Sequence, residues 1–546
     1  MAATLVINGQ PTQALPGRTL FGYAEDLGIQ VPTSCQKQGK CKECMVEVTA
    51  GMSLLTPPTP EEEHLQDNFR LSCRCQLATD AGEVHCHTLR RGQMRIERHA
   101  LSLPVSHQAA PLDPAVTRDG QSIRIDGVEI ARSAKPIYGI AMDLGTTTVV
   151  LRLINLETGE LVADASLENP QRFGGSDVMS RIHYDTQHRG RLLCRTLAGY
   201  LTHAIEAFPV EPETIYEMVV VGNSAMRDIF FHLDVYSIGQ SPYRSITEIE
   251  MDEGKRDTTS ITQTGRRALL PINPSARVYG GPIISGHVGA DAAACMLAVD
   301  IAHEDRLVAV MDIGTNTELI VGNRHRILAA SCPAGPAFEG GAISCGMPAL
   351  DGAIEEISLN GDGKFHCGVI GDAPPAGICG SGLVDLVSEL LRTGRMNEMG
   401  RFDEGSRITI DDKNGIYFLE RDVNELAQAK GANVAGLHTV LSSYGVQFDD
   451  IDVFYLAGGF GRHLDVAAAR RMGLIPNLPD SKFVQIGNAA IEGASISLLS
   501  LTKRRELEDV VKTVEHCRLE THPRFFDFFV EGCQFKPVDS LHEVAG

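Results

Sequence analysis

The sequence predicts a multi-domain protein in which a small α+β domain precedes a duplicated α/β unit. Three observations carry that prediction. The chain has 546 residues, more than one hydrophobic core serves at about 100–200 residues per domain. Six of its 14 cysteines fall within the first 86 residues. One long motif, an apolar strand that ends in Asp and turns through Gly and Thr, occurs twice with its Asp residues 169 positions apart.

Composition narrows the classes. Hydrophobic residues make up 43% and charged residues 22%, an ordinary globular balance that excludes a disordered, collagen-like or small disulfide-scaffold chain. The net charge is −21, and residues 1–100, with 10 basic and 11 acidic side chains, contribute almost none of it. An acidic body of this kind argues against nucleic acid as a partner. No run approaches the ~18 apolar residues of a membrane span. The opening MAATLVINGQPTQALPG has no basic segment leading into an apolar stretch. The expectation is a soluble, cytoplasmic protein with no membrane partner.

Residues 1–92 read as one small domain. ATLVING is a strand ending in the hairpin signal Asn8-Gly9. Thr19-Leu20-Phe21 opens a helix that stops at Gly28, and MVEVTAG is an alternating strand. Thr59-Pro60-Glu61-Glu62 announces a short helix by its cap residue and proline. Between these elements lies Cys35-x5-Cys41-x2-Cys44, and Cys73 follows after 28 further residues. Three thiolates in a tight loop and a distant fourth suit a [2Fe–2S] cluster, the loop wrapping one face and the far cysteine closing the other. Gly39 lets the loop turn and offer N–H groups to sulfur. Lys37, Lys40 and Lys42 either offset cluster charge or stand solvated. A zinc site from the same four cysteines is the alternative, although zinc favours two separated C-x2-C knuckles. Cys75 is the alternative to Cys73 as fourth ligand. The eight cysteines beyond residue 92 read as buried hydrophobes or idle thiols.

Residues 93–136 read as a linker, since LSLPVSHQAAPLDPAVTRDG carries three prolines and little periodicity. One hairpin is expected there, around Asp126-Gly127.

Residues 137–305 and 306–546 read as two related lobes, the second with a C-terminal segment. Tyr138 to Asp143 is a strand leading into Gly145-Thr146-Thr147-Thr148, and Leu307 to Asp312 leads into Gly314-Thr315-Asn316-Thr317. Such turns suit polyphosphate, because Gly allows close backbone approach, successive N–H groups point outward, and Thr adds donors. Asp143 and Asp312 are positioned to hold Mg²⁺ through water or to orient a hydrolytic water. Further glycine turns follow apolar segments: Gly222-Asn223, Gly380-Ser381-Gly382, and Gly458-Gly459-Phe460-Gly461. Glu339, in PAGPAFEGG, serves either a helix dipole or the nucleotide metal, and Phe338 beside it reads equally as core. His463 reads as a packing or surface histidine.

The motifs resemble known families. The first domain resembles the β-grasp [2Fe–2S] ferredoxins, with the five-residue first gap of the adrenodoxin-like branch. The remainder resembles the actin-like (RNase H-like) ASKHA ATPases, with the Asp143 and Asp312 turns as phosphate loops and Leu456–Gly461 as adenosine loop. The combination, with Gly222-Asn223-Ser224, Cys332-Pro-Ala-Gly335, Gly377–Gly382 and Ala457–Gly461, resembles the reductive activators of corrinoid proteins. That resemblance implies a [2Fe–2S] cluster, ATP and Mg²⁺ as cofactors. It implies reduction of a Co(II) corrinoid protein of a methyltransferase system, and an external electron donor such as a ferredoxin, flavodoxin or reductase. A redox-sensing ATPase and a metabolite kinase with a fused ferredoxin are the alternatives. One departure is expected: many members carry a further middle domain after the linker, and residues 93–136 are too short for one. Cys517-x15-Cys533 is no four-iron motif.

Overall fold

The computed structural model describes residues 3–89, 112–188, 190–361, 363–371, 373–459 and 464–539. The first domain is a mixed five-stranded sheet in the order β2-β1-β5-β3-β4, built from β1 (Ala3–Ile7), β2 (Gln10–Ala14), β3 (Met45–Ala50), β4 (Phe69–Leu71) and β5 (Glu83–Thr88). β1 runs parallel to β5, and the other neighbours are antiparallel. The strand β1 buries alternate residues, and Leu5, Ile7, Val46 and Val84 meet Leu20 and Tyr23 of the helix Leu20–Asp26 in one core. Thr19 caps that helix by accepting from Gly22 N–H.

The linker expectation is corrected over the described part of residues 93–136. β6 (Val116–Asp119), β7 (Ser122–Ile125) and β8 (Val128–Arg132) form a three-stranded antiparallel sheet. Between Pro114 and Pro136 no proline interrupts the chain. Within that stretch Val116 and Ile123 are fully buried in the large central core. The expected hairpin is present, with Asp126 and Gly127 both at positive φ. Residues 93–111 of the linker lie outside the described residues.

Two six-stranded sheets follow. The first has the order β11-β10-β9-β12-β14-β13, from β9 (Tyr138–Leu144), β10 (Thr148–Asn155), β11 (Leu161–Glu168), β12 (Ile215–Gly222), β13 (Ile261–Thr264) and β14 (Arg277–Gly280). The second begins with β15 (Val308–Asp312), β16 (Thr317–Asn323) and β17 (Arg326–Cys332). An insertion then carries β18 (Ala353–Leu359), β19 (Phe365–Val369) and β20 (Gly377–Ile378) in one sheet, and β21 (Arg407–Asp411) with β22 (Ile416–Leu419) in a hairpin. β23 (Val453–Ala457), β24 (Phe483–Gly487) and β25 (Glu515–His516) complete the order β24-β23-β15-β16-β17-β25. In both sheets the first three strands are antiparallel neighbours and the fourth joins the first in parallel, β12 beside β9 and β23 beside β15. β12 is buried on both faces, which its unbroken MVVV run requires.

The helices Ala290–Ala298 and Ala489–Leu499 lie in the core shared by the two sheets. They meet at very close range: a Cβ on Gly493 would stand 2.0 Å from the carbonyl oxygen of Ala294. Alanine and glycine at the crossing are what such an approach demands. This helix pair therefore ties the two sheets together across residue 305. Leu498 packs on Gly139 of β9, and Arg504 pairs with buried Glu217 of β12 at 2.8 Å. The cysteine domain is docked on the first lobe. Phe21, Met45 and Leu71 share a core with Phe173, Leu197 and Tyr200, and the hydroxyls of Tyr184 and Tyr200 donate to the carbonyls of His64 (2.7 Å) and Glu43 (2.8 Å).

Candidate functional site

The cysteine loop is a strained turn that the sequence makes affordable. Gln36, Lys37, Gly39 and Lys42 all have positive φ, and a Cβ on Gly39 would come within 2.6 Å of Arg74 Nε. The loop brings Cys35 and Cys41 together at a half-buried face. The β3–β4 pairing, with Met45 opposite Leu71, sets Cys44 beside Cys73, their sulfurs 3.2 Å apart and both buried. Burial works to raise the Cys35 thiol. Hydrogen bonds from Cys41, Lys40 and Gln38 overcome it and hold the thiol down to about 7. Backbone donors aimed at sulfur are the environment a negatively charged cluster requires, so the four cysteines fit a [2Fe–2S] group.

Cys75 does not join them. It is fully buried in the core with Leu5, Val46 and Leu77, and burial pushes its thiol up to about 12. The loop lysines have local tasks. Lys37 pairs with Glu25 at 2.6 Å and lies over the Phe21 ring, Lys42 donates to the carbonyl of Glu61, and Lys40 is exposed.

The second feature is an acidic cleft between the two large sheets. Asp143 stands beside Val221 in the β9–β12 register, and Asp312 beside Ala457 in the β15–β23 register. Each strand then turns back on itself. At Gly145 a Cβ would lie 2.6 Å from the carbonyl of Thr148. The two turns meet across the cleft: Thr147 Oγ1 and Thr315 Oγ1 are 2.8 Å apart, and both hydrogen-bond Glu339, Thr147 at 3.1 Å. Phe338 beside Glu339 is core, 1% exposed. Asn223 caps the helix Ser224–Phe230 and donates to Thr146 Oγ1 at 3.0 Å. Gly458 closes onto the second turn, where a Cβ would meet the carbonyl of Ile313 at 2.4 Å.

Burial raises both Asp residues, Asp143 to about 7 and Asp312 to about 6. Neighbouring carboxylates add to the effect, Asp291 and Asp312 on Asp143 and Glu339 on Asp312. A recessed cluster of carboxylates raised by burial and by one another is suited to a divalent cation.

Four members of this cleft were not singled out from the sequence. Asp291 opens the helix Ala290–Ala298 and is pushed up to about 7 by burial. Glu318, fully recessed beside Asp291 and Asp312, is raised well above its ordinary value by burial. Asn488 donates to Asp143 Oδ2 at 2.8 Å. Cys295, expected to be idle, donates its S–H to Asp312 Oδ2 at 3.2 Å. Only Asn488 left a signal: Gly487-Asn488-Ala489-Ala490 after a strand repeats Gly222-Asn223-Ser224-Ala225.

Gly380, Ser381 and Gly382 are buried at the start of the helix Gly380–Arg392, and their contacts lie within the second lobe. A Cβ on Gly382 would be 2.3 Å from the carbonyl of Ile354. Thr148, Thr317, Gly222 and Gly314 stand in or beside the two turns, and Asn316 lies within the second. Gly459 is exposed, and Phe460, Gly461 and His463 lie outside the described residues.

Residues 5–78 match the 2Fe-2S iron-sulfur cluster binding domain, residues 138–304 the RACo middle region, and residues 306–544 the C-terminal domain of RACo, the ASKHA domain. The middle match corrects one expectation: the family's middle region is present, and it is the stretch carrying the first large sheet. The chain is 31% identical over 442 residues to the corrinoid activation enzyme RamQ of Eubacterium limosum, covering 75% of this chain and 72% of that one. It is 26% identical over 452 residues to the "[Co(II) methylated amine-specific corrinoid protein] reductase" of Methanosarcina barkeri, covering 75% and 80%. A solved structure described as reductive activator for corrinoid,iron-sulfur protein superposes with a TM-score of 0.72 at 25% identity, covering 98% of both chains. No helix among the described residues is long and apolar enough to cross a membrane. With an iron–sulfur domain, a RACo middle region and an ATP-hydrolysing ASKHA domain in one chain, the protein belongs to the family of reductive activators of corrinoid proteins.

Proposed function

We propose that this chain reduces a corrinoid protein of a methyltransferase system from Co(II) to Co(I), one electron at a time, and that hydrolysis of Mg-ATP makes the reduction favourable. The observation that carries the reading is the direct packing of the cysteine domain on an ATPase lobe, with Cys44 and Cys73 buried in their common core. A ferredoxin does not need an ATPase beneath it, and a kinase does not need iron.

Cys35, Cys41, Cys44 and Cys73 hold the cluster, which supplies a low-potential electron. A plant-type cluster lies near about −400 mV, and each ~59 mV of one-electron gap costs a factor of ten. Coupling to ATP offsets such a gap. The electron enters from an external ferredoxin, flavodoxin or reductase. In the cleft, Asp143 and Asp312 hold Mg²⁺ or the attacking water, with Asp291 beside them. Gly145–Thr148 and Gly314–Thr317 take the phosphates, Gly222 and Asn223 brace the first turn, and Glu339 bridges the two. Gly458–Gly461 close over the nucleoside in a duplicated, actin-like arrangement of the two sheets, while Gly380–Gly382, packed inside the second lobe, support it from behind. Reduced thiols and low-potential donors make the cytoplasm the fitting compartment.

The test mixes the anaerobic holoprotein, a low-potential reductant, Mg-ATP and the Co(II) corrinoid protein of the same source, and follows Co(I) absorbance. Co(I) should accumulate only with ATP, and the corrinoid protein should accelerate ATP hydrolysis. Equal Co(I) with and without ATP removes the coupling. If no corrinoid protein accepts the electron or stimulates hydrolysis, a redox-sensing ATPase takes the place of this reading, and phosphorylation of a small molecule would identify a kinase.

A further inference from the structure

One short segment touches both functional features. β11 ends at Glu168 and runs through Asn169-Pro170-Gln171-Arg172-Phe173-Gly174-Gly175, a single tight 3-10 turn. Its first residue is fastened to the turn after Asp143. Asn169, fully buried, donates from Nδ2 to the carbonyl of Gly145 at 2.8 Å and from its N–H to the carbonyl of Thr147 at 2.7 Å. Its Oδ1 accepts from Gln171 N–H at 2.9 Å, which stiffens the turn from within.

The far side of the turn is fastened to the cysteine domain. Arg172 Nη1 lies 3.6 Å from Glu47 Oε2, on β3 and three residues beyond Cys44. The buried ring of Phe173 stands edge-on to His64 at 5.8 Å. The segment then closes back on its origin. Arg181 donates to the carbonyl of Gly175 at 2.9 Å and rests on Met226 Sδ, in the helix whose cap Asn223 holds Thr146.

Arg172 is the hub. Its guanidinium binds Glu168 on its own strand and faces Glu47 in the cysteine domain. Its positive charge also reaches Glu339, opposing the effect of burial there. A planar guanidinium serves several carboxylates at once, as an ammonium does not. A ligand that moves Gly145 or Thr147 therefore pulls, through Asn169, on the turn that holds Arg172 opposite Glu47.

We infer that residues 168–175, with Arg172 as the positioning residue, couple the first phosphate turn to the docking of the cysteine domain, so that a nucleotide in the cleft alters how that domain sits on the first lobe. The inference rests on reading the cleft as a nucleotide site. A short turn anchored at both ends and stiffened by the Asn169–Gln171 hydrogen bond is a physical element that both sites bias.

The experiment measures amide hydrogen exchange of the full-length holoprotein with and without the non-hydrolysable analogue Mg-AMPPNP, no corrinoid protein being present. In the unaltered protein the nucleotide should protect residues 145–148 and change exchange at residues 45–48 and 62–65 by about fivefold or more, the lower range of coupling between sites. In Arg172→Gln and in Glu47→Gln the change at residues 45–48 and 62–65 should vanish while residues 145–148 stay protected. Arg172→Lys should restore part of it. The same response in Arg172→Gln as in the unaltered protein overturns the inference, as does its absence from the unaltered protein when residues 145–148 are protected. Loss of protection at residues 145–148 in the unaltered protein overturns the nucleotide-site reading itself. Should Arg172→Gln fail to fold, Glu47→Gln, checked by its iron content, decides alone.

Discussion

The cysteine loop and the acidic cleft are built by opposite routes. Three of the four loop cysteines lie within ten residues of one another, and the fourth arrives by a single strand pairing, β3 with β4. The cleft joins groups from both large sheets and the helices between them, and its longest hydrogen bond in chain terms, Asn488 to Asp143, spans 345 residues. A site of the first kind depends on its own small core. One of the second kind depends on every contact that holds two lobes in register, above all the alanine-lined helix crossing at Gly493.

That contrast yields testable consequences, of which loss of the cluster is the largest. Cys73→Ser should abolish bound iron and sulfide, whereas Cys75→Ser should retain both and lose only stability, because a hydroxyl replaces a thiol in an apolar core. Iron and sulfide analysis distinguishes the two, and the reverse pattern moves the fourth ligand to Cys75. Next in size, Asp143→Ala and Asp312→Ala should each abolish ATP hydrolysis and leave the cluster spectrum unchanged. Full hydrolysis in both variants would reject the cleft as the catalytic centre.

Gly493→Val sharpens the comparison, since its Cβ would fall 2.0 Å from a backbone oxygen. Overpacking of this kind costs about 1–3 kcal/mol or more. The melting temperature and ATPase rate should drop while iron content per chain holds. Equal loss of iron would show that the two sites do not stand or fall separately.

The smallest effect concerns the seam between the regions. Burial, helped by the charge of Lys42, pushes the His64 imidazole down to about 4, and its ordinary value is 6.5. The docked state therefore binds fewer protons than the undocked one between those values. Docking is at full strength above about pH 6.5 and weakens as pH falls toward 4, by at most about tenfold per pH unit. X-ray scattering should show the molecule expanding between pH 7.5 and 5 and His64→Gln blunting that response. Expansion in the opposite direction, or none, removes His64 as a titrating part of the seam.

Much of this was legible in the amino-acid order, and the omissions have physical causes. The Cys35–Cys44 spacing, the two Asp-Gly-Thr turns and the strands before them are short-range patterns, and each appears where expected. Residues 112–136 were misread because Pro114 and Pro136 flank three short strands, and Val116 and Ile123 reveal their role only against the central core. Asp291 sits in GADAAAC and reads as one polar residue in an alanine helix. Its charge matters because that helix runs between two sheets, beside Asp143 and Asp312.

By itself the sequence determined the local chemistry: thiolates in a glycine-bent loop, paired phosphate-type turns, and the strand, turn and helix signals that make each element form. These follow from backbone dihedrals and side-chain alternation over a few residues, where neighbours in sequence are neighbours in space. Only the tertiary structure decided which distant groups share a dielectric environment and a hydrogen bond. It separated Cys75 from Cys73, two residues apart, into a hydrophobic core and a thiol cluster. It joined Cys295 to Asp312 and Asn488 to Asp143. It laid the cysteine domain on the first lobe through Glu43, Glu47 and His64. Such pairings are set by how sheets and helices exclude water from a common core, and no window of sequence contains that packing.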